Sequence, residues 1–118
     1  MWNGIMEITF RGNPEERPAV GSVRGVKVNE QGSPVHGAVI GLFAKDTVEF
    51  TVGTALRTVL SDENGLFSFE NVEFGSYLVR VLEPSVGYEL LDKTYEVEIS
   101  KGSPNIDLGF IESRYITG

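Results

Sequence analysis

The 118-residue sequence predicts an all-β fold, a seven-stranded antiparallel Greek-key sandwich. Three observations lead there. Apolar residues recur with a period of two along most of the chain, the signature of strands with one buried face. Turn-forming clusters interrupt these runs at short spacing, as in a sandwich or barrel. No alternation of strands with long helices is present, and the best helical stretch, Ala44–Phe50, is short.

Each run carries its own pattern. In Ala38–Leu42, the inward set is Ala38, Ile40 and Leu42. Thr54–Leu60 reads as a strand with less clean phasing. In Leu66–Glu70, Phe67 and Phe69 share a face. Ser76–Leu82 presents Tyr77, Val79 and Val81 together. In Thr94–Ile99, Tyr95, Val97 and Ile99 oppose Glu96 and Glu98. Asn105–Phe110 is assigned Ile106, Leu108 and Phe110 as its apolar set. The breaks are Asn29–Pro34, Asp62–Gly65, Glu73–Ser76, Glu83–Gly87 and Lys101–Pro104. Gly32 and Gly65 stand where a left-handed residue is cheap only without a Cβ. Asn29 and Asp62 are expected to cap their own turns through the side-chain oxygen. Tyr77 is expected to fill the sandwich with its ring while its hydroxyl reaches an edge.

The first 20 residues differ. Met6, Ile8 and Phe10 alternate with Glu7 and Thr9, so Met6–Arg11 reads as a strand, followed by a polar, proline-bearing linker to Val20. It is either an extra edge strand or the tail of a preceding domain. A linker this long is unusual inside a small fold, which favours the second. The expected division is 1–20 as N-terminal strand and linker, 21–112 as the sandwich and 113–118 as a C-terminal tail. Met1–Phe10 lacks the basic start and apolar run of a signal peptide.

Ten basic residues stand against 17 acidic ones, a net charge of −7. That balance argues against nucleic acid and against anionic membranes as partners. No stretch approaches the length of a membrane-spanning helix. With no cysteine, neither a disulfide framework nor a thiolate metal site is available. A chain of this length can bury a real core without either.

Three segments together resemble a known family. Val23–Leu42 (VRGVKVNEQGSPVHGAVIGL) is similar to its first strand, turn and second strand. Ser61–Tyr77 (SDENGLFSFENVEFGSY) and Val81–Leu90 (VLEPSVGYEL) are similar to two further stretches. On these the chain resembles the Cna B-type, SpaA-like and carboxypeptidase-regulatory-like domains of bacterial surface proteins. The resemblance implies a prealbumin-like (transthyretin-like) fold and an extracellular or cell-surface location. It implies a non-enzymatic structural, spacer or adhesion-associated module whose partners are neighbouring domains of the same parent chain. A carbohydrate- or protein-binding module is the alternative, with a glycan or a host or surface protein as partner. Phe50, Phe74 and Tyr88 are its candidate contacts, with Phe43 a further aromatic near a loop, although each of the four reads more readily as a plug at the edge of the core.

A third implication is a pilin-type intramolecular isopeptide bond, in which a first-strand lysine joins a last-strand Asn or Asp beside a promoting carboxylate. Lys27 falls at the lysine position. The promoting position holds Val81, with Glu83 two residues on. Asp107 and Asn105 are nearest in type to the acceptor, but their phase sets them against Ile106 and Leu108. The first strand itself has two readings, with either Val23, Gly25 and Lys27 or Val26 and Val28 inward. The expectation is an uncrosslinked chain.

Enzymes on this fold use several histidines, with an arginine in hydroxyisourate hydrolases or two iron-binding tyrosines in intradiol dioxygenases. This chain has one histidine, His36, in a turn. No nucleophile elbow, phosphate loop or zinc-binding histidine pair is present. The turns at Asn29–Gly32 and Asp62–Gly65 lack the oxygen density that calcium needs. No catalytic residue, metal or cofactor is expected.

Overall fold

The computed structural model describes residues 19–116. Seven strands follow in order: β1 (Val20–Val28), β2 (Val39–Ala44), β3 (Arg57–Leu60), β4 (Leu66–Glu73), β5 (Gly75–Glu83), β6 (Thr94–Ile99) and β7 (Asn105–Glu112). They form two sheets, β4-β1-β7 and β3-β2-β5-β6. Every neighbouring pair is antiparallel except β1 and β7, which run parallel. The described residues contain no helix: of the stretch Ala44–Phe50, Ala44 ends β2 and Lys45–Phe50 are irregular, with Thr47 N–H donating to the Ala44 carbonyl. The expected strand Met6–Arg11 lies outside the described residues.

The alternating residues close the two sheets over one core. Val23, Ala38, Ile40, Leu42, Phe67, Phe69, Val79, Val97 and Ile99 are buried there, with Tyr77, Val81 and Tyr95 half-buried at its margin. Burying each large side chain contributes roughly 1.5–3 kcal/mol. The turns behave as their residues dictate. Asn29 Oδ1 accepts from the Gln31 and Ser33 N–H groups, and Asp62 Oδ1 from those of Asn64 and Leu66. Gly32 and Gly65 have φ of +84° and +78°. Tyr77 donates its hydroxyl to the Glu73 carbonyl at 2.7 Å.

Two local expectations need correction. Phe110 does not face the core: it is 78% exposed, and Ile111 is buried instead. The cause is Gly109, whose φ of +75° and N–H bond to Asp107 Oδ1 interrupt the alternation. The pairing with β1 shifts register between Arg24 and Val26 at this point. One bulged residue moves every later side chain to the other face. Strand β3 begins at Arg57, not Thr54, because Thr51 and Thr54 bond each other in a side-chain-supported turn.

Phe43, a candidate exposed aromatic whose favoured reading is a plug at the edge of the core, is fully buried. It lies on the outer face of its sheet, next to inward Leu42, and the loop after β2 covers it. Phe50 packs edge-on against it at 4.9 Å, and the Arg80 guanidinium lies 4.6 Å over the Phe50 ring. Gly41 leaves room beneath, since a Cβ there would come within 2.8 Å of the Phe43 ring. Across the sandwich, Arg57 on β3 donates to the carbonyls of Glu70 and Asn71 on β4, tying one sheet to the other.

Candidate functional site

Lys27 is the one charged side chain among the buried described residues, at 3% exposure. The strand places it there because Val23, Gly25 and Lys27 take the inner phase of β1, while Val26 is only half-buried. Its backbone is fixed on both sides. Lys27 N–H donates to the Gly65 carbonyl, and its own carbonyl accepts from Val35 N–H. Gly65 is needed for this, since a Cβ at that position would collide with the Lys27 carbonyl oxygen.

The Lys27 side chain borders a cavity of about 140 Å³. Val81, Leu91, Tyr95 and Ile111 supply its apolar wall, and Lys93, Glu112 and Arg114 its charged part. The ion pairs among the described residues are Arg24–Asp107 and Arg80–Asp92, so neither involves Lys27. Removal from water disfavours the charged ammonium and pushes its pKa from 10.5 down to about 8.

The other crosslink candidates stand elsewhere. Ile111 is the register partner of Lys27 on β7, so an isoleucine flanks the amine. Asp107 faces outward, 3.5 Å from Arg24, and Asn105 Oδ1 accepts the Ser22 hydroxyl at 2.9 Å. Glu83 is exposed at the end of β5, opposite Val39. None of the three lines the Lys27 cavity.

The remaining candidates have local partners. Phe50 is held by Phe43 and Arg80, Phe74 is 38% exposed between β4 and β5, and Tyr88 stacks on Tyr115. No aromatic pair among the described residues joins two of these three candidates. His36 is exposed, and its carbonyl accepts the Ser85 hydroxyl. Among the described residues no three His, Cys, Asp or Glu side chains gather as a metal site.

A second constellation was not foreseen. Tyr88 and Tyr115 stack with ring centroids 4.9 Å apart. Asn29 Nδ2 donates to the Tyr115 hydroxyl at 2.9 Å and reaches that of Tyr88 at 3.4 Å, while the Tyr115 hydroxyl donates to Gln31 Oε1. Glu89 N–H bonds the Arg114 carbonyl and Ile116 N–H the Gly87 carbonyl, so the chain after β7 is fastened to the loop after β5. The neighbouring Tyr88 hydroxyl raises the Tyr115 pKa above its ordinary value. Tyr115 lies beyond the last alternating run, where periodicity gives no signal.

Comparison with solved structures finds the same fold in pilins. The major pilin subunit of Bacillus cereus superposes with a TM-score of 0.67 at 23% identity, over 84% of this chain and 31% of that one. The pilus 2b backbone protein of group B streptococcus gives 0.68 at 18% identity, over 83% and 42%. The minor pilin of Streptococcus agalactiae gives 0.67 at 20% identity, over 85% and 46%. The chain thus spans between about a third and a half of each of these proteins. No curated protein sequence matches it. Residues 21–112 match the model of the SpaA prealbumin-like fold domain, and with that match the chain belongs to this family.

Proposed function

We propose that this domain is a non-enzymatic, load-bearing spacer of a bacterial cell-surface protein, and that it works without an internal crosslink. The parallel pairing of β1 and β7 carries the reading. Ser22 pairs with Asn105 at one end of the sandwich and Val28 with Glu112 at the other. The chain therefore enters at one pole and leaves at the opposite one. Such a domain threads into a row of similar domains, and tension along the row loads the β1–β7 hydrogen bonds in shear, all at once. The pilin relatives, built from more than one such length of chain, support the same use.

What surrounds Lys27 supports the uncrosslinked reading. Isopeptide formation needs an acceptor carbonyl beside the amine and a carboxylate to shuttle protons. Ile111 and Val81 occupy the neighbouring positions with hydrocarbon. Intact mass spectrometry tests this directly. The expected mass equals that of the sequence, whereas a deficit of about 17 Da for ammonia or about 18 Da for water would establish a crosslink.

A further inference from the structure

A buried amine beside a cavity, with no bond to form inside the protein, is available to a ligand. We propose that Lys27 captures small 2-oxo carboxylates: its amine condenses with the carbonyl while Lys93 and Arg114 hold the carboxylate. The inference rests on the preceding reading that Lys27 is free.

Three observations converge on it. The amine is buried, among the described residues it has no carboxylate within ion-pair distance, and it borders the cavity. The cavity, about 140 Å³, has the room of four to five liquid waters at about 30 Å³ each, which suits a molecule of roughly six heavy atoms. Its titratable lining is Lys93, Arg114, Glu112 and Tyr95 besides Lys27, so cations outnumber the single carboxylate. Lys93 is held in place with its ammonium 5.1 Å over the Tyr95 ring. Val81, Leu91 and Ile111 complete a partly dry wall, the setting in which a lysine amine loses its proton and becomes a nucleophile.

The chemistry is balanced. The Lys27 nitrogen lone pair attacks the carbonyl carbon to give a carbinolamine. The carbonyl oxygen then leaves as water with both amine hydrogens, and a carbon–nitrogen double bond remains. No oxidant or reductant is consumed, and hydrolysis reverses the step.

Glyoxylate with sodium cyanoborohydride tests the proposal, because the added hydride and a proton from water turn the imine into a stable carboxymethyl-lysine. Peptide mapping should show Lys27 modified at least about tenfold faster than Lys45, Lys93 or Lys101. The variant Lys27→Met removes the fast reaction. Arg114→Ala and Lys93→Ala should slow capture of glyoxylate about tenfold while leaving capture of formaldehyde, which has no carboxylate, unchanged. Equal labelling of all lysines, or equal losses for both aldehydes, would overturn it. The untreated mass separates the two readings. A deficit there refutes the free amine, whereas a full mass with slow labelling of Lys27 refutes capture alone.

Discussion

At Lys27 the chain puts an amine where neighbouring strands supply hydrocarbon, and stability should register it. Its pKa is lowered to about 8 by burial, so the folded state binds the proton less well than the unfolded chain near 10.5. Below pH 8 both states are charged and the full cost of burial applies. Between pH 8 and 10.5 the folded chain releases the proton while the unfolded chain keeps it, so stability rises with pH across that window. The cost is about 2 kcal/mol, less than the whole shift implies because water reaches the cavity. Lys27→Met should therefore gain about 1–2 kcal/mol in urea unfolding at pH 7, and the gain should shrink by pH 10. Asn29→Ala should do the opposite. It removes the turn cap and the donor to Tyr115 together, at about 2 kcal/mol, and amide exchange should quicken at Glu89 and Ile116. The cap at Asn29 was legible because Asn followed by a glycine-bearing turn is local chemistry. Its second hydrogen bond, to a residue 86 positions away, was not. The lysine was legible only as a question, since both phases of β1 offered valines.

Among elements, β7 shows how one glycine overrides a pattern. Ile106, Leu108 and Phe110 alternate in sequence, yet the left-handed Gly109 inserts a step before Phe110. The side chain beside Lys27 is consequently Ile111. The reversed phase predicts that Ile111→Ala costs about 2–4 kcal/mol and Phe110→Ala within about 0.5 kcal/mol, measured by chemical denaturation. Equal costs would mean that β7 keeps its alternation. Strand β6 and the first parts of β4 and β5 were readable because each has one buried face, whereas register shifts break the alternation near the ends of β4, at the left-handed Asn71, and of β5. Strand β2 was half readable. Its inward set was correct, but Phe43 is buried on the other face by a loop without regular periodicity, and periodicity carries no information about what covers an outer face.

For the whole molecule, long-range pairing sets both fold and proposed role. Sequence patterns gave two sheets' worth of strands, whereas the parallel union of the first and last is a property of topology that no local signal encodes. That union brings Lys27 and β7 side by side, so the domain should be one step from a crosslink. In the variant Val81→Glu with Ile111→Asn, Lys27 nitrogen would attack the new carboxamide, ammonia would leave, and the mass would fall by about 17 Da. A folded double variant of full mass would show that the geometry around Lys27 is wrong. The central claim is that an uncrosslinked β1–β7 pair bears load in shear, and single-molecule pulling tests it most directly. Pulled through its two ends, the domain should resist to a force several-fold higher than when pulled through its N-terminal end and the Lys101–Ser103 turn. The second geometry opens the same pair from one end, bond by bond. After the high-force event residues 21–112 should extend fully, on the order of 300 Å at about 3.3–3.6 Å per residue. Equal forces in the two directions would contradict the shear geometry, and failure to extend would contradict the absence of a crosslink.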